Sequence, residues 1–201
     1  MIRNVIFDIG NVLVDFCWRE HIESCGFQGV TADRIGRAMM QSPVWSEIDR
    51  GVWSMVELLA AFIANDPEIG DAIRIVFRDF RTLVKERSGS VAWIRSLKAE
   101  GLGVYYLSNF SRRVETEAAG ELSFLKEMDG GILSYKERLI KPDPAIYRLL
   151  LARYGLSAEE SVFLDDTPEN VEAAKALGMQ GIVVESQEQA KRRLREVLRC
   201  V

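Results

Sequence analysis

The sequence predicts an α/β fold, a doubly wound parallel sheet with a helical bundle inserted near its start. Three observations carry that prediction. Four short apolar runs are continuous rather than alternating, helical segments separate them in the second half, and one long early stretch shows helical periodicity alone.

The runs come in order along the chain. Val5-Ile6-Phe7 leads into Asp8, and Val104-Tyr105-Tyr106-Leu107 leads into Ser108 and Asn109. Val162-Phe163-Leu164 leads into Asp165 and Asp166, and Gly181-Ile182-Val183-Val184 ends at Glu185. Unbroken apolar strands suit a parallel sheet covered on both faces. Between them, Ser90 is placed to cap a helix that buries Val91, Ile94 and Leu97 and closes at Gly101. Asp143-Pro144 opens a helix burying Ile146, Leu149 and Leu150 up to Gly155, since proline in the first turn loses no hydrogen bond. Thr167-Pro168 repeats the device ahead of Val171, Ala174, Leu177 and Gly178. In such sheets ligands bind beyond the carboxyl ends of the strands. Asp8, Ser108, Asp165 and Asp166 all fall there.

Residues 16–87 read differently. Ser54 and Glu57 form a capping box before Leu58, Ala61 and Phe62. Pro67 opens a longer helical pattern through Ile69, Ile73, Val76, Phe77, Phe80 and Val84. No strand pattern is present, so residues 16–87 are expected to form a helical cap over a core built from 1–15 and 88–201. The competing reading is a helical layer of the same domain.

Composition narrows the function. The chain has 201 residues, 48% hydrophobic and 28% charged, with net charge −4, ordinary for a soluble domain and poor for a general nucleic-acid binder. Cys17, Cys25 and Cys200 lack metal-type spacing, and an odd count suits a reducing compartment. No apolar run reaches membrane-spanning length, and Met1-Ile2-Arg3-Asn4 enters a strand directly, so a cytoplasmic protein without membrane contact is expected. The single histidine, His21, excludes a His-rich zinc site and is expected to pack or face solvent. Chemistry is therefore left to carboxylates, hydroxyls and lysine. The basic run Lys191-Arg192-Arg193-Leu194-Arg195 alternates with Glu188, Glu196 and apolar Leu194, Val197 and Leu198, the pattern of a docked surface helix.

Four motifs in order resemble the haloacid dehalogenase superfamily over nearly the whole chain. They are Phe7-Asp8-Ile9-Gly10-Asn11-Val12-Leu13, Leu107-Ser108-Asn109, Lys141-Pro142 with Asp143-Pro144 behind it, and Phe163-Leu164-Asp165-Asp166-Thr167-Pro168-Glu169-Asn170. The resemblance implies that superfamily's Rossmann-like core and a Mg²⁺-dependent phosphatase acting on a small phosphorylated metabolite. Asp8 matches the nucleophile that forms a phospho-aspartate. Mg²⁺ ligands would be Asp8, the Gly10 carbonyl and the Asp165-Asp166 pair, with Asp166 favoured as the direct one. Ser108 and Asn109 would hold phosphoryl oxygens, and Lys141 would offset charge on nucleophile and phosphate.

One departure stands out. Most phosphatases of the superfamily carry a general-acid aspartate two residues after the nucleophile, and here that position is Gly10. The stretch Asp8-Ile9-Gly10-Asn11-Val12-Leu13-Val14-Asp15 looks like the bacterial sugar-1-phosphate phosphatase subgroup. A sugar 1-phosphate leaves as a hemiacetal oxyanion and needs protonation less. Asp15 is a distant substitute for the missing acid. Trp45 and Trp53 either line the pocket or pack in the cap. Three rival readings differ in kind. A signalling receiver would carry its acidic pair before the acceptor, not last. A non-catalytic binding or regulatory protein would account for Gly10. A metal-independent dehalogenase would carry tyrosine at position 10.

Overall fold

The computed structural model describes residues 1–199, which leaves Cys200 outside the described chain. Its strands are β1 (Asn4–Phe7), β2 (Val14–Phe16), β3 (Val84–Glu86), β4 (Gly103–Ser108), β5 (Gly130–Leu133), β6 (Ser161–Asp165) and β7 (Gln180–Val183). Five of them form a parallel sheet in the order β5-β4-β1-β6-β7. Successive side chains alternate between its faces, and both faces are covered. Ile6, Leu107 and Phe163 pack on Ile146, Tyr147 and Leu150 of α9 (Pro144–Tyr154) and Ala174 of α10 (Pro168–Ala176). Val5, Phe7, Val104, Val162 and Leu164 pack toward Trp93, Ile94 and Leu97 of α6 (Ser90–Ala99) and Ala190 and Leu194 of α11 (Gln187–Arg199). Burial on both faces is why the strands read as unbroken apolar runs.

The helix starts behave unevenly. Asp143 accepts the Ala145 N–H at 2.8 Å and caps α9. Tyr147 is fully buried on that helix, whereas Leu149 is only partly covered. Ser90 does not cap α6 as expected. Gly89 holds the capping position at φ +93°, and the Ser90 hydroxyl donates to the Leu13 carbonyl at 2.8 Å, tying α6 to the loop after β1.

Between β2 and β3 lie five helices, α1 (Trp18–Ser24), α2 (Gly29–Ala38), α3 (Trp45–Arg50), α4 (Met55–Asn65) and α5 (Gly70–Val76). The Ser54–Glu57 capping box is present in both directions. The predicted helix from Pro67 to Val84 is shorter than expected: a 3₁₀ turn at Pro67–Ile69 leads into α5, which ends at Val76. Val84 instead enters β3, antiparallel to β2 with Phe16 opposite Val84 and Val14 opposite Glu86. The expectation of a strand-free 16–87 is corrected. Where the chain leaves the core and returns, the two crossings satisfy each other's backbone groups, a pairing that side-chain periodicity does not report. His21 packs as foreseen. It is buried, with Nε2 3.2 Å from the Val76 carbonyl, which can only accept, and Nδ1 2.8 Å from the Thr82 hydroxyl. Among the described residues no helix is long and apolar enough to cross a membrane.

Candidate active site

The chain leaves β1 toward β4 and leaves β6 toward β7 on the opposite side, so the crevice between β1 and β6 is the switch point of the sheet. Asp8 follows β1, and Asp165 with Asp166 closes β6. Lys141 enters the same crevice. Its Nζ lies 2.8 Å from Asp8 Oδ1 and 2.5 Å from Asp165 Oδ2, and all three side chains are almost wholly buried. Opposite charges in a dry site attract strongly, which holds the ammonium charged despite its burial.

Asp165 is saturated. Oδ1 accepts the Thr167 N–H at 2.8 Å, Asn170 Nδ2 reaches both oxygens at 3.1 Å, and Lys141 takes Oδ2. Thr167 therefore does not cap α10 with its hydroxyl; its N–H fixes the carboxylate instead. Asp166 is half-buried and accepts from Asn11 Nδ2 at 2.9 Å. Asn11 can aim there because its backbone sits at φ +51°, which asparagine tolerates better than most residues. Asn109 uses both ends of its side-chain amide on Lys141: Oδ1 accepts the Lys141 N–H at 2.8 Å and Nδ2 donates to the Lys141 carbonyl at 3.0 Å. The amide thus holds the lysine loop, while Asn109 also lines the cavity. Ser108 is buried at the end of β4, and its hydroxyl favours the charged form of Asp8. Even so, burial is the larger effect and pushes the Asp8 carboxyl up to about 6, with Lys141 opposing it.

A cavity of about 210 Å³ opens above Asp8. Asp8, Gly10, Asn11, Asn109, Asp166 and Thr167 form its polar floor, while Phe16, Trp45, Val84, Phe110 and Val114 form an apolar wall. Trp45 thus lines the cavity and packs on Phe62 and Phe80, whereas Trp53 lies elsewhere and is partly exposed. Asp15 is turned away to pair with Arg87 at 2.6 Å and does not reach the cavity. Sequence reasoning flagged none of Phe110, Ser111 and Val114, and it also missed a lining carboxylate, Asp49 on α3. No motif flags it, because only the docking of α3 brings it to the strand ends.

Asp8, Asp165 and Asp166 each offer an oxygen, all within 4.8 Å of one another. Lys141 offsets one of these three charges, and no donor is aligned on the buried Asp8 Oδ1 despite the nearby ammonium. A crowd of hard oxygens with two charges unbalanced fits a small divalent cation such as Mg²⁺.

The fold and its carboxylate-lined crevice define an α/β protein of hydrolase type. The chain belongs to the haloacid dehalogenase-like hydrolases, whose sequence profile matches residues 2–178. It is 28% identical to a sesquiterpene phosphatase of Aspergillus oryzae over 98% of this chain and 97% of that protein. A phosphorylated carbohydrates phosphatase of Thermotoga maritima is 30% identical over 52% of this chain and 49% of its own length. Two longer curated relatives are matched over only 37% and 19% of their lengths. A haloacid dehalogenase-family enzyme from Bacteroides thetaiotaomicron, solved with magnesium and inorganic phosphate, superposes with a TM-score of 0.69 at 18% identity, covering 92% of this chain and 95% of its own.

Proposed function

We propose that this protein is a cytoplasmic, Mg²⁺-dependent phosphatase that releases phosphate from a small metabolite through a phospho-aspartate on Asp8. The observation that carries this reading is the buried Lys141 ammonium shared between Asp8 and Asp165, with Asp166 alongside. Relatives named as phosphatases support it.

In this reading Asp8 attacks phosphorus, and Lys141 orients its carboxylate and lowers the charge that an incoming phosphate meets. Ser108 donates to a phosphoryl oxygen. Asp8, Asp166 and the Gly10 carbonyl would hold the cation, while Asp165, already hydrogen-bonded through both oxygens, braces Lys141 and the turn into α10. A Mg²⁺ held there would supply Lewis-acid charge neutralisation. The helical cap, taken as residues 16–87, contributes Phe16, Trp45 and Val84 to the apolar wall.

That wall bears on the substrate. Asn11 and Asn109 each already spend one amide N–H on the protein, which leaves fewer donors for sugar hydroxyls. A cavity below the roughly 300–1,000 Å³ typical of ligand sites suits a compact organic group with an apolar face. The subgroup likeness points instead to a sugar 1-phosphate. A panel of glucose 1-phosphate, short-chain prenyl and alkyl phosphates and p-nitrophenyl phosphate separates the two by kcat/KM. Phosphate release should require Mg²⁺ and stop in chelator, and Asp8→Asn should abolish it. An Asp8→Asn rate equal to wild type would refute the nucleophile, and activity indifferent to chelator would point to metal-free chemistry.

A further inference from the structure

Gly10 leaves the leaving group without a proton donor on the core side. A Cβ at Gly10 would meet only Asp8 Oδ2, at 3.9 Å, so a side chain has room there and none is supplied. The cavity nevertheless contains a third acid. Of its lining carboxylates, Asp8 and Asp166 belong to the nucleophile and cation sites, and Asp49 remains. No ion pair or hydrogen bond to the Asp49 carboxylate occurs among the described residues; only its backbone carbonyl is engaged, with Ser134.

Asp49 comes from the insertion, yet it is fastened to the core. The Ser134 hydroxyl, at the start of α8 (Ser134–Glu137), donates to the Asp49 carbonyl at 2.6 Å and accepts the Phe110 N–H at 2.9 Å. Phe110 directly follows the Ser108–Asn109 pair, so one hydroxyl sets α3 against the phosphate end of β4. Two residues on, Gly51 ends α3 at φ +69°, where a Cβ would fall 2.9–3.1 Å from Tyr135, backbone included. Only glycine allows that approach.

We infer that Asp49, delivered by the cap, is the general acid and base of this site. The inference rests on the phosphatase reading above. In the first step Asp8 forms a bond to phosphorus, the ester P–O bond breaks, and the departing oxygen takes the Asp49 proton to leave as an alcohol. In the second, the Asp49 carboxylate takes a proton from water as that water's oxygen bonds to phosphorus. The P–O bond to Asp8 then breaks, inorganic phosphate departs, and Asp49 is left protonated for the next cycle. Burial, reinforced by the charge of Asp8 and opposed by Lys141, lifts its carboxyl to about 7, so both forms are populated near neutrality.

The test compares wild type, Asp49→Asn, Asp49→Glu, Gly10→Asp and the Gly10→Asp/Asp49→Asn double variant, all with Mg²⁺. Asp49→Asn should slow alkyl phosphate turnover on the order of 10²-fold or more. With p-nitrophenyl phosphate, whose leaving group needs no acid, the first equivalent of nitrophenolate should still appear at about the wild-type rate. The phosphoenzyme should then accumulate, visible as one added phosphoryl group by intact mass. Asp49→Glu and the double variant should recover much of the loss, the double variant being read against Gly10→Asp because that change touches a residue expected to hold the cation. Equal slowing of both esters without trapped phosphoenzyme, or no slowing, overturns the assignment of Asp49. If Asp49→Asn fails to fold, the wild type decides on alkyl phosphates graded by leaving-group pKa: a nearly flat kcat/KM shows the departing oxygen being protonated, and a steep fall with rising pKa overturns the assignment. A wild-type protein that releases no phosphate from any ester sinks the phosphatase reading itself, a separate outcome.

Discussion

At the residue scale, the site is a balance of buried charges that the polypeptide alone leaves incomplete. Asp8 shows it most clearly, since desolvation outweighs the pull of Lys141 and raises its carboxyl from 3.8 to about 6. The folded protein therefore binds this proton more tightly than the unfolded chain does. Its stabilising contribution is present in full below about pH 3.8 and is lost as pH rises through about 6. At roughly 1.4 kcal/mol per pH unit, the loss is on the order of 3 kcal/mol. Urea denaturation in chelator, with wild type and Asp8→Asn compared from pH 4 to 7, should show the variant gaining relative stability by about that amount. A difference flat with pH would show that the Asp8 carboxylate is not strained by burial. The same residues show what was legible. Asp8, Lys141, Asp165 and Asp166 sit at strand ends or beside a proline, where sequence signals are strong. Asp49 sits in the last turn of α3 among Glu47, Ile48 and Arg50, and nothing local sets it apart from a solvated acid.

At the element scale, the contact between α3 and α8 fastens the inserted helices to the core beside the cavity. Replacing Gly51 with alanine puts a side chain into left-handed backbone and against Tyr135, while Gly155→Ala at φ +63° meets nothing within 4 Å. Both changes should cost about 1–2 kcal/mol from backbone conformation. Only Gly51→Ala should also lower kcat, by displacing Asp49. Thermal denaturation and steady-state kinetics on the pair check this, and matched kinetic losses would deny the α3–α8 contact any part in catalysis. Element prediction failed where tertiary contact overrides local pattern. β5 escaped notice because its run begins Gly130-Gly131, and a Cβ on Gly131 would fall 2.3 Å from Tyr106. The glycine there answers to a neighbouring strand rather than to strand propensity. β3 was hidden inside a helical periodicity that happens to continue through Phe80 to Val84.

At the scale of the whole molecule, the first and last motifs of the chain meet around one charge deficit. A cation that binds only the folded site stabilises the fold by mass action, about 2.7 kcal/mol at a hundredfold excess over Kd. Mg²⁺ should therefore raise the Tm of the wild type, and Asp166→Asn should lose most of that rise along with phosphate release. An equal Tm rise in both proteins would place the ion elsewhere.

Strand cores, helix starts and the order of the acidic and basic motifs were written in the sequence, because each depends on side chains within a few residues of one another. The packing of a helical insertion onto the strand ends was not. Which carboxylate reaches the cavity, which amide is already occupied and why Gly51 must be glycine depend on groups far apart in the chain. Contacts at such separations leave no periodic trace, so only the folded arrangement decides them.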